Sequence, residues 1–140
     1  MPVDALELRL SVPDEALVRG VWDALRDAGL PSQADHRSPS NAPHITLTAG
    51  SGPDGVIPEE PPADLALAVE RHAANRDPAV FRPWIPHVSL ARRVPRSDLG
   101  GVLAAVAPLQ PRRIVADRLL LWRPGPRTLT TWATAPHPRG

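Results

Sequence analysis

The sequence predicts a mixed α+β domain built mainly on antiparallel strands. Three observations carry this expectation. Residues 3–12, "VDALELRLSV", alternate: Leu6, Leu8, Leu10 and Val12 share one face, and Glu7, Arg9 and Ser11 share the other. That is the period of a half-buried strand. Two strand-forming stretches near 112–123 and 127–135 close the chain, and "RPGPR" between them reads as the turn of a hairpin. Segments of helical period separate the remaining strands. Parallel βαβ winding is compatible with this order, but the hairpin and the half-polar strands fit an antiparallel arrangement better.

The elements follow in order. Pro13-Asp14-Glu15 opens a helix, with proline in the first turn and acids at the positive end of the dipole. Leu17, Val18, Val21, Trp22 and Leu25 form its apolar stripe, which places Trp22 in the core, and Gly29 is the expected stop. Residues 29–43 form a loop with three prolines, and "HITLTA" follows as a strand. "GSGPDGVIPEEPP" (50–62) is a second loop, and "ADLALAVERHAAN" is a helix with Leu65, Val69 and Ala73 on one side. "WIPHVSLA" is expected as the next strand. "PRSDLGGVLAAVA" is expected as a helix carrying Leu99, Val102, Leu103 and Val106, weakened by about 1 kcal/mol for each of Gly100 and Gly101. Trp122 and Trp132 on the closing hairpin read as core.

A length of 140 residues fits one domain, 1–140, around one main core. No apolar run approaches the roughly 18 residues that cross a membrane. "MPVDALELRL" has none of the features of a signal peptide, so a cytoplasmic setting is expected. The absence of cysteine excludes disulfides, thiolate metal sites and a cysteine nucleophile. All sixteen basic residues are arginine, which excludes Schiff-base, nucleotidyl-lysine and P-loop chemistry. With 19 prolines, the arginine usage also fits a GC-rich coding sequence. Charge is unevenly placed. Residues 1–80 hold 6 arginines against 13 acids, and residues 81–140 hold 10 against 2. The basic half is either a solvated face or a surface for a phosphate-bearing partner.

One pattern occurs twice: "PHITL" at 43–47 and "PHVSL" at 86–90, in a chain with 5 histidines. On a strand, residues two apart point the same way. His44 and Thr46 would then share one face, as would His87 and Ser89, each anchored by aliphatic side chains behind. Imidazole is the side chain suited to proton transfer near neutral pH, and hydroxyls donate hydrogen bonds to phosphate oxygens. Two such strands with converging polar faces would offer an acid and a base for phosphodiester displacement with no metal.

"HITL" and "HVSL" resemble the two His-x-(Thr/Ser)-x signatures of the 2H phosphoesterase superfamily. That superfamily includes the bacterial 2′–5′ RNA ligases and RNA 2′,3′-cyclic phosphodiesterases. "HVSLARR" resembles the second signature in detail, and the order of flanking elements is similar over most of the chain. The resemblance implies a bilobal fold of antiparallel sheets with helices outside. That superfamily usually carries a further helix and hairpin between the first signature strand and the helix preceding the second signature; here that space holds only the loop 50–62, so a reduced first lobe is expected. It also implies metal-independent hydrolysis of a 2′,3′-cyclic phosphate, or reversible joining of RNA ends through a 2′–5′ bond, with no cofactor. His44 and His87 would be the acid/base pair, with His87 as base and His44 as acid. Thr46 and Ser89 would hold non-bridging phosphate oxygens, and Arg92 or Arg93 would approach the phosphate or the RNA strand. The partners implied are RNA ends or small cyclic nucleotides.

Rival readings remain. A binding module would hold phosphates or RNA ends without turnover. A two-histidine zinc site fits poorly, because zinc takes three or four protein ligands. A serine hydrolase is disfavoured because Ser89 lacks a Gly-x-Ser-x-Gly elbow. His36, His72 and His137 read as surface residues. Trp84 is expected behind its strand, with base stacking as the alternative.

Overall fold

The computed structural model describes residues 4–38, 40–50, 57–65, 67, 85–109 and 113–135. It is an α+β structure with one four-stranded sheet among those residues. Strand β1 spans Asp4–Leu10, helix α1 Val12–Asp27, strand β2 His44–Gly50, helix α2 Leu99–Val106, strand β3 Ala116–Arg123 and strand β4 Thr128–Thr134. The strand order is β2-β1-β3-β4, which leaves β2 and β4 at the edges. The pairs β1–β2 and β3–β4 are antiparallel. The chain divides into two compact units, Met1–Arg9, His44–His87 and Asp117–Gly140 in the first, and Leu10–Pro43 and Val88–Ala116 in the second.

In the first unit, Leu6, Ile57, Leu119, Leu121 and Trp132 make the core, with Leu8, Leu47, Leu65 and Ala133 against it. Arg123 clamps part of the second loop to the sheet. It pairs with Glu59 at 3.0 Å and Asp4 at 3.5 Å, and donates to the Ile57 carbonyl. The Trp132 indole donates to the Glu59 carbonyl at 3.1 Å, so this tryptophan is both core and tether. Trp122, expected in the core, is only partly buried, because it faces away from the layer that holds Leu121.

The second unit centres on α1. Val18 and Trp22 pack with Leu10, and Val21 and Leu25 pack with Val102 and Val106 of α2. Asp14 fixes the helix start, accepting hydrogen bonds from the Val115 N–H at 2.8 Å and the Ser11 hydroxyl at 3.2 Å. The helix stops as expected. Gly29 has φ +72°, its N–H bonds to the Arg26 carbonyl, and the Leu30 N–H reaches back to Leu25. These two bonds form a Schellman motif, which needs a left-handed residue at this place. Helix α2 buries only Val102 and Val106, while Leu99 and Leu103 remain exposed. A Cβ on Gly101 would lie 3.2 Å from the Leu30 side chain, so that glycine permits close approach.

Two expectations change. The segment 85–91 is not a strand. Pro86 offers no N–H to a ladder, and the following carbonyls are taken elsewhere: Ser89 O accepts from the Trp22 indole at 3.1 Å and Leu90 O from the Gln33 N–H at 2.8 Å. Val88 and Leu90 pack against the α1 core instead of a sheet. The penultimate strand also starts later than expected, at Ala116, since the Val115 N–H is committed to Asp14. The helix expected from 63 onward lies outside the described residues, apart from its opening. There Leu65 and Leu67 are helical and the Asp64 carboxylate accepts from the Leu67 N–H at 3.0 Å.

Candidate active site

Antiparallel pairing of β1 and β2 builds the polar group around the first signature. His44 lies opposite Arg9, Ile45 opposite Leu8, and Thr46 opposite Glu7. Directly opposed residues point to the same face, so His44, Thr46, Glu7 and Arg9 share one face. The register then shifts: Thr48 pairs with Leu6, which leaves Leu47 as an extra residue in β2. A bulge of this kind reverses the alternation beyond it. Thr48 therefore turns to the core side, where it is 1% exposed, instead of repeating the face of Thr46.

The charges on this face are not solvated. Glu7 and Arg9 are each 7% exposed. A buried carboxylate without a counter-charge is costly, and the Arg9 Nη2 sits 3.3 Å from Glu7 Oε2. The other carboxylate oxygen, Oε1, lies 3.7 Å from His44 Nε2. One carboxylate thus stands between a guanidinium and an imidazole that is one-third exposed. Strand alternation puts Glu7 and Arg9 on the polar face of the first strand and does not assign them to a site. Glu7-x-Arg9 is a same-face spacing, yet the register that sets it beside His44 is a tertiary fact.

The second signature is displayed differently. His87 is exposed, and its Nδ1 lies 2.7 Å from the Ile85 carbonyl oxygen. A carbonyl only accepts, so in this hydrogen bond Nδ1 carries the hydrogen and the lone pair of the neutral ring is on Nε2. His44 and His87 both belong to the first compact unit. Ser89 falls in the second, partly buried beside Trp22. Arg92 is also in the second unit and lines a cleft of about 260 Å³ with Pro31, Ser32, Gln33, Asp35 and His36. Arg93 is exposed and has φ 53°, a left-handed conformation uncommon outside glycine and asparagine. The structure therefore groups His44 with Thr46, and it places Ser89, Arg92 and Arg93 in the other unit from the two imidazoles. His36 is exposed, as expected; His72, His137 and Trp84 lie outside the described residues.

No helix among the described residues is long and apolar enough to cross a membrane. No family model matches the chain, and no curated protein or solved structure matches it either.

Proposed function

We propose that this protein is a metal-independent phosphoesterase of the 2H type, acting on RNA 2′,3′-cyclic phosphates or joining RNA ends through a 2′–5′ bond in the reverse direction. The observation that carries the reading is the duplicated Pro-His-(Ile/Val)-(Thr/Ser)-Leu pattern, whose first copy lies on a strand with imidazole and hydroxyl on one face. On this reading His87 Nε2 is the base for water and His44 the acid for the leaving ribose oxygen. The Nδ1 contact to Ile85 supports the first role, because it leaves the Nε2 lone pair for a proton. Thr46 and Ser89 hold the non-bridging oxygens, where charge builds in the transition state. Arg92 and Arg93 serve the phosphate or the RNA strand. The finer fold, two lobes with the first reduced, belongs to the same proposal and rests on the order of segments in the sequence. So does a cytoplasmic setting.

The test is turnover of an RNA ending in a 2′,3′-cyclic phosphate by the wild type, His44→Ala, His87→Ala and the double variant. Removing an acid or a base costs about 10²–10⁴-fold in rate. The double loss is expected to be smaller than the product of the single losses, because the two rings act on one transition state. Turnover that survives both substitutions would overturn the proposal.

A second reading has its own support. The signature at 86–90 leaves strand geometry, and its Ser89 is partly buried next to Trp22. A module that binds phosphates or RNA ends without turnover would tolerate that difference. Binding of a cyclic phosphate with no histidine-dependent turnover between pH 5 and pH 9, taken as a roughly complete range for imidazole chemistry, would favour it.

A further inference from the structure

We infer that the cleft lined by Pro31, Gln33, Asp35, His36 and Arg92 is a binding site for a guanine base, with the Asp35 carboxylate accepting from the N1–H and amino group of the base and the Arg92 guanidinium donating to its O6 and N7. The cleft lies wholly within the second compact unit, and the inference stands on that unit alone. That the base belongs to an RNA end rests on the phosphoesterase reading.

The cleft is organised by main-chain hydrogen bonds. The Ser32 hydroxyl donates to the Trp22 carbonyl at 2.7 Å and accepts from the Ala34 N–H at 3.1 Å. The Arg26 guanidinium donates to the Ala34 carbonyl at 2.6 Å. The Asn41 amide donates to the carbonyls of Gln33 at 2.9 Å and His36 at 3.1 Å. The Gln33 N–H bonds to the Leu90 carbonyl at 2.8 Å, which pins the turn Gln33–Asp35 to the segment that carries Arg92. Just past Arg92, Arg93 has φ 53°, a conformation that is costly for a residue with a Cβ. Strain of this kind persists where the surrounding structure holds it, and it gathers at ligand sites. A loop whose main chain is committed to the scaffold leaves its side chains for recognition.

Those side chains form an acidic wall and a basic wall that do not meet. Asp35 Oδ1 lies 3.4 Å from Arg26 Nε, in a pair more than half exposed on both sides and therefore weak. Each carboxylate oxygen can accept twice, so this contact does not close Asp35 to a ligand. Arg92 lines the same cleft and forms no hydrogen bond or ion pair among the described residues, with Asp35 included. Opposite charges that share a cleft without pairing suit a ligand with a donor edge for one and an acceptor edge for the other. Guanine has that layout, and arginine to O6 and N7 is the commonest specific base contact. Adenine lacks the second acceptor for Arg92, and cytosine and uracil lack the paired donor groups for Asp35. A free phosphate would satisfy Arg92 but meet the Asp35 carboxylate with like charge. The volume of about 260 Å³ lies just below the roughly 300–1,000 Å³ of pockets for larger ligands, which fits a single base. His36 and Pro31 add an imidazole on which a base can stack and an apolar ring.

Uncharged nucleosides titrated into the folded protein, followed by its nuclear magnetic resonances, test the assignment. Guanosine is expected to bind about tenfold or more tighter than adenosine, cytidine or uridine, with shifts centred on residues 31–36 and Arg92. Inosine lacks the amino group and should bind about tenfold more weakly than guanosine. In Asp35→Ala the two should agree within about twofold, because the group that tells them apart is gone. 7-Deazaguanosine lacks N7, and its deficit against guanosine should likewise disappear in Arg92→Leu. Each comparison is between two ligands on one protein, so a general loosening of the loop does not produce it. If a variant does not fold, the wild-type ratios decide. Equal affinity for all the nucleosides, shifts centred elsewhere, or inorganic phosphate perturbing these resonances where guanosine does not, would overturn the inference. The guanosine pattern in a protein that turns over no 2′,3′-cyclic phosphate would leave the site standing and remove the phosphoesterase reading. Histidine-dependent turnover with no guanosine preference would remove the site and leave the phosphoesterase reading.

Discussion

At the scale of single residues, the polar face of β1 and β2 carries more chemistry than strand alternation announces. Glu7, Arg9, His44 and Thr46 lie within one register of each other, and two of the four are buried charges. Thr46→Val is expected to weaken binding of a 2′-phosphate product, whereas His44→Ala should leave that binding largely intact while removing turnover. Under the proposed function, calorimetry on the two variants separates a hydroxyl that orients phosphate from a ring that moves a proton. Equal loss of binding in both would mean that the imidazole acts only as an anion contact. The shared face of His44 and Thr46 was legible in the sequence, because they stand two apart on a strand. The position of Glu7 was not, because nothing local fixes which strand lies beside "HITL". Nor was the turn of Thr48 toward the core, since the extra residue at Leu47 only becomes a bulge against the partner strand.

At the scale of elements, the sequence read best where local chemistry decides. Helix α1 has its acids in the first turn, its apolar stripe inward and its glycine at the stop. Two substitutions test this account with opposite signs. Gly29→Ala forces a Cβ into a left-handed backbone at φ +72° and should cost about 1 kcal/mol or slightly more. Gly20→Ala lies inside the same helix on an exposed face, with nothing within 4 Å of the new methyl, and should stabilise by about 0.5–1 kcal/mol. Urea unfolding of both variants checks the pair; a shift of the same sign in both would contradict the assigned helix end. The segment 85–91 reads as a strand by composition and is not one. Its carbonyls go to the Trp22 indole and the Gln33 amide, partners 57 or more positions away that no local pattern reveals.

At the scale of the whole molecule, the uneven charge is the feature that bears on partners. If the protein binds RNA as proposed, ten arginines against two acids after residue 80 predict that this binding weakens steeply with salt, because each neutralised phosphate releases counterions. Filter binding of a short single strand, compared between roughly 50 and 200 mM salt, checks this; an unchanged affinity would leave the arginines as ordinary solvated surface. The mixed α+β class and the antiparallel pairing were legible from the alternation of β1 and from the closing hairpin. The division into two units was not, since it depends on which distant segments pack together. The central claim, two imidazoles acting on one phosphate without a metal, is tested most directly by incubating the protein with a 2′,3′-cyclic mononucleotide in EDTA and following the phosphorus spectrum. The account predicts conversion to a single phosphomonoester, undiminished by EDTA and lost in both His44→Ala and His87→Ala. Conversion that EDTA abolishes, or that persists in either histidine variant, would contradict it.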